Sequence, residues 1–254
     1  MNLSREPNIF TRAFGLFGAP KVDVAAAAVV YDARQDAAAS EPERYSHAMV
    51  DIETMSNHTS RSLILSVAAI PFELEPTGPR FGPALLRLPE LSTQLATGRL
   101  VTGDTQDFWK RQTPQARRHW SGPHHRDPVW SILADLRAFL ARNTTGKKAQ
   151  VWFRGQGFDP GNLDNLALEH GEAEAWPAFW MLRDQRTATA FFPQQRTRPA
   201  DLVIEGDAHD PVHDCRKQIW ALWEHAPAEA LGLEPVSAAL AGLVSAATAA
   251  RADR

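Results

Sequence analysis

Two neighbouring apolar segments, His47–Glu53 (HAMVDIE) and Arg61–Leu74 (RSLILSVAAIPFEL), limit most strongly how this chain can fold. The second is a nearly unbroken apolar run, the pattern of a strand covered on both faces. The first alternates, with Val50 and Ile52 on one side of a strand and Asp51 and Glu53 on the other. A strand with such a neighbour lies inside a sheet, and carboxylates there need partners because buried charge is unfavourable alone. Further along, Arg80–Leu88 reads as a third strand after the turn at Pro76–Gly78. Thr105–Trp120 and Val129–Arg142 read as helices, the latter from apolar residues at helical spacing. Gln150–Phe153 is a short strand, Leu163–His170 a short helix and Arg186–Ala190 a last strand. Pro211–Trp223 is a helix with Val212, Cys215, Ile219 and Leu222 along one face. Strands first, then helices and strands in alternation, predict a mixed α/β sheet.

A chain of 254 residues suits one domain with tails. Residues 1–45 read as a partly disordered N-terminal extension, in which 22–32 fits either a strand or a short helix. Residues 46–226 carry the domain, and the alanine-rich stretch 227–254 is expected to be a helical tail. The net charge of −3 gives no general grip on nucleic acid, so any such binding needs a local patch. Cys215 is the single cysteine, which excludes an intrachain disulfide and a cysteine-rich zinc site and fits a reducing cytoplasm. No apolar run approaches the roughly 20 residues of a membrane span, and no secretory signal is read near the N-terminus.

Three constellations carry chemistry. In Asp51-Ile52-Glu53, two carboxylates on one strand face raise each other's pKa unless a cation neutralises them, and hard divalent cations prefer carboxylate oxygen. Alone, this pattern more often describes a solvated acidic edge. Gly155-Gln156-Gly157-Phe158-Asp159 follows a strand directly and places Asp159 at the opening of the next helix, where it is either a site residue or only a helix cap. Asp164, one turn on, is expected to face solvent. His209-Asp210-Pro211-Val212-His213-Asp214 puts Asp214 in the first turn of the last helix and His209 just before it, with Asp210 as N-cap. Histidine suits proton abstraction from water near neutral pH. His213 is the competing histidine. Jointly, Asp51, Glu53, Asp159 and Asp214 can hold a pair of cations for phosphodiester cleavage, with His209 as general base.

On these motifs the chain resembles the DEDDh branch of the proofreading-exonuclease-like superfamily, of ribonuclease H-like fold. Asp51/Glu53 is similar to its first motif, Gly-x-x-Phe-Asp ending at Asp159 to its second, and His209-x4-Asp214 to its third. More narrowly, the chain resembles the RNase T-like 3′-exoribonucleases, related to exodeoxyribonuclease VIII-like phage proteins. That likeness rests on Asp51–Met55, the Trp109…Gln112…Pro114–Arg117 helix, Arg183-Asp184-x-Arg186-Thr187 and His209–Gln218. It spans roughly 46–225. Pro160-Gly161 and Arg154 depart from the pattern, which favours helix formers after Asp159 and a small polar residue at 154.

The resemblance implies a five-stranded mixed sheet flanked by helices and two Mg²⁺ or Mn²⁺ ions. It implies 3′-to-5′ hydrolysis of single-stranded RNA or DNA ends to nucleoside 5′-monophosphates, and homodimer formation. RNA is placed ahead of DNA, although the discriminating 2′-hydroxyl contacts are not legible in the residues. Met55, Trp109 and Phe158 are candidates to meet bases, and Arg183 and Arg186, with Lys110, Arg111, Arg117 and Arg118, to meet phosphates. Core packing and a solvated helix face compete with these roles. Three rivals remain: a catalytically inactive nucleic-acid-binding module, a zinc site on His119, His124 and His125, and an endonuclease of the same fold.

Overall fold

A computed structural model describes residues 43–117, 121, 125–155, 157–171, 177–204 and 206–231. The expected extension and tail lie almost wholly outside these residues. Strands β1 (His47–Thr54), β2 (Ile64–Glu75), β3 (Gly78–Phe81), β4 (Leu85–Arg87), β5 (Gln150–Phe153) and β6 (Leu182–Asp184) form one sheet in the order β3-β2-β1-β5-β6. Strand β4 pairs with β2 beside β3. β1 and β2 are antiparallel, with Asp51 opposite Ala68 and Glu53 opposite Ser66, while β5 and β6 run parallel to the β1 direction. The architecture is the mixed α/β sheet expected, with one refinement. The single strand expected over Arg80–Leu88 is two, because β3 pairs with Phe72–Glu75 and β4 with Val67–Ala69 along the same edge of β2. Gly82 separates them, packed so closely on Tyr45 and Pro71 that a Cβ there would meet the tyrosine ring at 2.8 Å. Six strands thus fill five positions.

The helices are α1 (Leu91–Ala96), α2 (Gly103–Arg111), α3 (Pro114–Arg117), α4 (Val129–Asn143), α5 (Asp159–Glu169), α6 (Gln185–Phe191) and α7 (Pro211–His225). The alternation read in β1 holds. Ala48, Val50 and Ile52 face the core built with α4 and α5, through Ile132, Leu136, Leu163 and Leu166. Met49 faces the other core, where Cys215, Ile219 and Leu222 of α7 pack on Ala68, Ile70 and Phe72. Cys215 is fully buried there, its Sγ 3.9 Å from the Met49 carbonyl oxygen. Asp51 and Glu53 share the face that α7 covers, at the end where β1 leaves the sheet.

Three expectations need correcting. The helix expected over Thr105–Trp120 is two, α2 and α3, parted where Gln112 turns extended. Residues 186–190 are helical; the last strand is Leu182–Asp184, just before that helix. Asp184 ends that strand and caps α6, accepting hydrogen bonds from the backbone N–H groups of Arg186 and Thr187. The helix after β5 starts at Asp159, with Pro160 in its first turn where no backbone donor is required. A glycine is needed one residue later, because a Cβ at Gly161 would lie 2.6 Å from the Thr59 carbonyl oxygen. Among the described residues no helix is long and apolar enough to cross a membrane.

Candidate active site

Three elements deliver the carboxylates. Asp51 and Glu53 come from β1, where a register shift between Glu53 and Thr54 ends regular pairing with β2. Asp159 is the first residue of α5, and Asp214 lies in the first turn of α7. Both helix starts favour an anion through the dipole. Asp51 and Asp159 are buried, and the Glu53 side chain is 14% exposed. Burial, above all, pushes Asp51 up to about 7, with Asp214 adding to the rise and a hydrogen bond from Gln218 opposing it. Glu53 is raised well above the usual range by burial and by the charges of Asp51, Asp214 and Asp159. Asp159 is raised by burial and by Asp51. The four groups therefore feel one another across one site, although they are far apart in the chain.

His209 stands at the mouth of this cluster. Its backbone is left-handed, at φ 66°, the one non-glycine residue with a positive φ among those described. The conformation is held by Asp210, which caps α7 through Val212 and His213, and by Asp214, whose Oδ2 accepts the His209 backbone N–H at 3.2 Å. The imidazole Nδ1 lies 3.9 Å from Glu53 Oε1. Ligand atoms of Glu53, His209 and Asp214 all lie within 4.8 Å of one another. The ring meets Phe108 edge-on, with centroids 5.0 Å apart, and Trp109 at 5.7 Å. Lys217 Nζ approaches Asp214 Oδ1 at 3.6 Å. His213, the competing histidine, points away into the packing, where a Cβ on Gly206 would meet its ring at 2.6 Å.

The expected substrate contacts fare differently. Met55 and Trp109 are each only 1% exposed, so neither presents a face to a base. Trp109 donates its indole N–H to the Thr54 carbonyl at 2.9 Å and thereby braces the strand end beside Glu53. Phe158 is half-buried against the α4/α5 core. Arg183 folds back to donate to the Trp180 and Leu182 carbonyls, and its charge is felt at His47, at the far end of β1. The charge of Arg186 is felt at Asp159. Lys110 pairs with Asp107 on the surface of α2. Asp164 is half-buried, with its pKa raised by that burial, and does not lie open to solvent as expected. Arg118, His119 and His124 lie outside the described residues.

Two residues given no role from the sequence belong to the site. Gln218, one turn beyond Asp214 on α7, donates to Asp51 Oδ1 at 2.7 Å. Phe108 walls His209. The i,i+4 spacing of Asp214 and Gln218 was the available signal for the first; nothing in the sequence distinguished Phe108 from its neighbour. The donor set suits hard cations, being carboxylate oxygen, with the imidazole standing beside it. Two buried polar atoms beside it lack partners: Ser66 Oγ, directly across the ladder from Glu53, and Gln218 Oε1. Raised carboxyl pKa values and orphaned oxygens are what a cation and its water shell would relieve, so the residues fit divalent metal.

Residues 46–225 match the family described as the 3′-5′ exoribonuclease Rv2179c-like domain. An exodeoxyribonuclease of Enterobacteria phage T4 is 27% identical over 208 residues, covering 73% of this chain and 91% of the phage protein. Among solved structures, cell-death related nuclease 4 aligns at 15% identity and TM-score 0.47, over 70% of this chain and 63% of that one. The E. coli ExoI–ssDNA complex aligns at 14% and 0.49, over 72% and 40%. The chain thus spans less than two thirds of these two nucleases. With the matched segment running from β1 through α7, the chain belongs to the 3′-5′ exoribonuclease Rv2179c-like family, within the DEDD-type 3′-5′ exonucleases.

Proposed function

We propose that the protein removes nucleotides from the 3′ end of single strands or 3′ overhangs, RNA ahead of DNA, releasing nucleoside 5′-monophosphates. Asp51, Glu53, Asp159 and Asp214 hold two divalent cations, Mg²⁺ or Mn²⁺, and His209 is the general base. The observation that carries this is the convergence of four carboxylates from β1, α5 and α7 beside an imidazole 3.9 Å from Glu53. When bound, the metal supplies charge neutralisation at the phosphate and a more acidic water. The rest is the chain's own work. The buried carboxylates fix the cation positions before substrate arrives. His209 Nδ1 faces Glu53, which leaves Nε2 to take the proton of the attacking water. Phe108 and Trp109 restrict the ring's rotation, and the hydrogen bond from the His209 backbone N–H to Asp214 ties the base to the carboxylate set.

The family description supports RNA, while the phage relative is named for DNA. A panel of 5′-labelled RNA, DNA and 3′-overhang duplexes decides between them. Single strands should shorten stepwise from the 3′ end with Mg²⁺ or Mn²⁺ and stay intact with EDTA. Internal cutting of a 3′-blocked strand would mark an endonuclease and overturn the reading. Residues 46–226 are proposed as the exonuclease domain, with 1–45 and 227–254 as flanking tails. A homodimer, measurable by sedimentation, and a reducing cytoplasm, suited to the lone thiol, complete the proposal.

A further inference from the structure

Two guanidinium groups stand beside the carboxylates with no partner of their own. Arg154 follows the last residue of β5, and Arg186 lies in the first turn of α6, just after β6. Phe153 and Asp184 are level in the parallel β5–β6 ladder, so both arginines leave adjacent strand ends at the edge of the sheet where α5 begins. Both side chains are exposed. Among the described residues, Arg154 makes no hydrogen bond or ion pair, and Arg186 bonds only through its backbone, its N–H donating to Asp184 and its carbonyl accepting the Thr189 hydroxyl. Four other arginines are held by carboxylates: Arg80 by Glu75, Arg87 by Asp135, Arg99 by Glu169 and Arg198 by Glu224. The charge of Arg154 is nevertheless felt at both Asp51 and Asp159, and that of Arg186 at Asp159.

Charge balance shows what these groups are free to do. Four carboxylates and two divalent cations sum to zero, so neither guanidinium is needed to balance the loaded ligand set, although Asp184 and Asp210 are further carboxylates whose charge is felt there. An exposed guanidinium beside a phosphodiester-cleaving centre fits a further phosphate, which its planar fork can grip with two hydrogen bonds. A Cβ on Gly155 or Gly157 would have no neighbour within 4 Å, so a strand backbone can approach closely.

We propose that Arg154, together with Arg186, grips the phosphodiester adjacent to the bond being cut. Arg154 is thus a substrate-binding residue that this chain carries where a small polar one is the more usual choice. The inference rests on the exonuclease reading of the site, and the test separates the two.

The full-length protein is titrated with a fluorescent single strand carrying phosphorothioate linkages, in Mn²⁺, across a KCl series. Arg154→Gln should weaken binding about ten-fold and make the slope of log affinity against log salt shallower by about 0.7. The double variant with Arg186→Gln should weaken binding further, with the total slope loss still about 0.7, because both groups grip one phosphate. Arg154→Lys should keep most of the slope, because a point charge survives, while losing affinity. On cleavable strands, KM should rise with kcat little changed. Melting curves and Mn²⁺ calorimetry establish that the variants fold and load metal. An Arg154→Gln protein with the parent's slope and KM overturns the proposal. A change confined to Mn²⁺ affinity also overturns it, since it makes the guanidinium only a counter-charge to the carboxylates. If the parent binds strand with an Arg154-dependent slope yet cuts none of the panel, the grip stands and the exonuclease reading falls.

Discussion

At the scale of single residues, side-chain type was legible and side-chain surroundings were not. Alternation on β1 was enough to place Asp51 and Glu53 on one face, and the cap at Asp210 was enough to place Asp214 in the first turn of α7. What Met55 and Trp109 touch depended on the later chain that covers them, so their burial could not be read from position alone. Gln218 is the informative omission. Its amide is the hydrogen-bond donor holding Asp51 Oδ1, and its loss leaves that carboxylate to burial and like charge. Gln218→Leu should raise the Mn²⁺ concentration for half-maximal activity about 10–100-fold, as removal of such supporting partners commonly does. An unchanged metal requirement would show that Asp51 is positioned by something else. For His209, the backbone matters as much as the ring. At φ 66° an alanine is strained, whereas asparagine tolerates the left-handed region. His209→Asn should therefore slow turnover by about 10²–10⁴ with metal affinity and melting temperature retained. His209→Ala should in addition lose stability. Equal melting temperatures for the two would refute the strain argument.

At the scale of elements, long periodic segments were readable and short ones were not. The helix α4 and the strand β5 lie where their patterns place them. Thr187-Ala188-Thr189-Ala190 alternates like a strand but is a helix, because Asp184 satisfies the first backbone donors of α6, and β6 is only three residues long. The segment 55–62, which leads from Glu53 to β2, is fixed by polar side chains that no periodicity announces. Asn162 of α5, fully buried, accepts the Ser62 N–H at 2.8 Å and donates to the His58 carbonyl at 3.1 Å. Arg99 adds a hydrogen bond to the Ser62 carbonyl at 2.7 Å and pairs with Glu169. Asn162→Leu leaves buried backbone groups unpaired, so it should destabilise by about 3 kcal/mol in chemical denaturation. Activity should fall with it, since α5 also carries Asp159. Near-parent stability in that variant would mean that Arg99 and the loop's own hydrogen bonds hold it.

For the molecule as a whole, assembling the site opposes folding when metal is absent. Burial lifts Asp51 from the ordinary 3.8 to about 7, and Glu53 and Asp159 rise as well. A folded-state pKa above the unfolded one means that the native protein holds protons the unfolded chain has released. Stability is then greatest below the unfolded value and declines as pH rises through the folded one. The metal-free melting temperature should fall between pH 5 and pH 8 by on the order of 5 °C. Asp51→Asn should flatten that slope, and saturating Mn²⁺ should remove it by binding the native form. A metal-free profile that climbs with pH would contradict the burial of these groups. The same seam carries a gauge of its own. Cys215 is the sole thiol in the chain, sits beside Asp214 and is sealed between α7 and β1. A thiol reagent can reach it only when that helix lifts from the sheet. Its labelling, at reagent concentrations high enough to outrun reclosing, therefore clocks how often the catalytic face comes apart, in protein that has been altered nowhere.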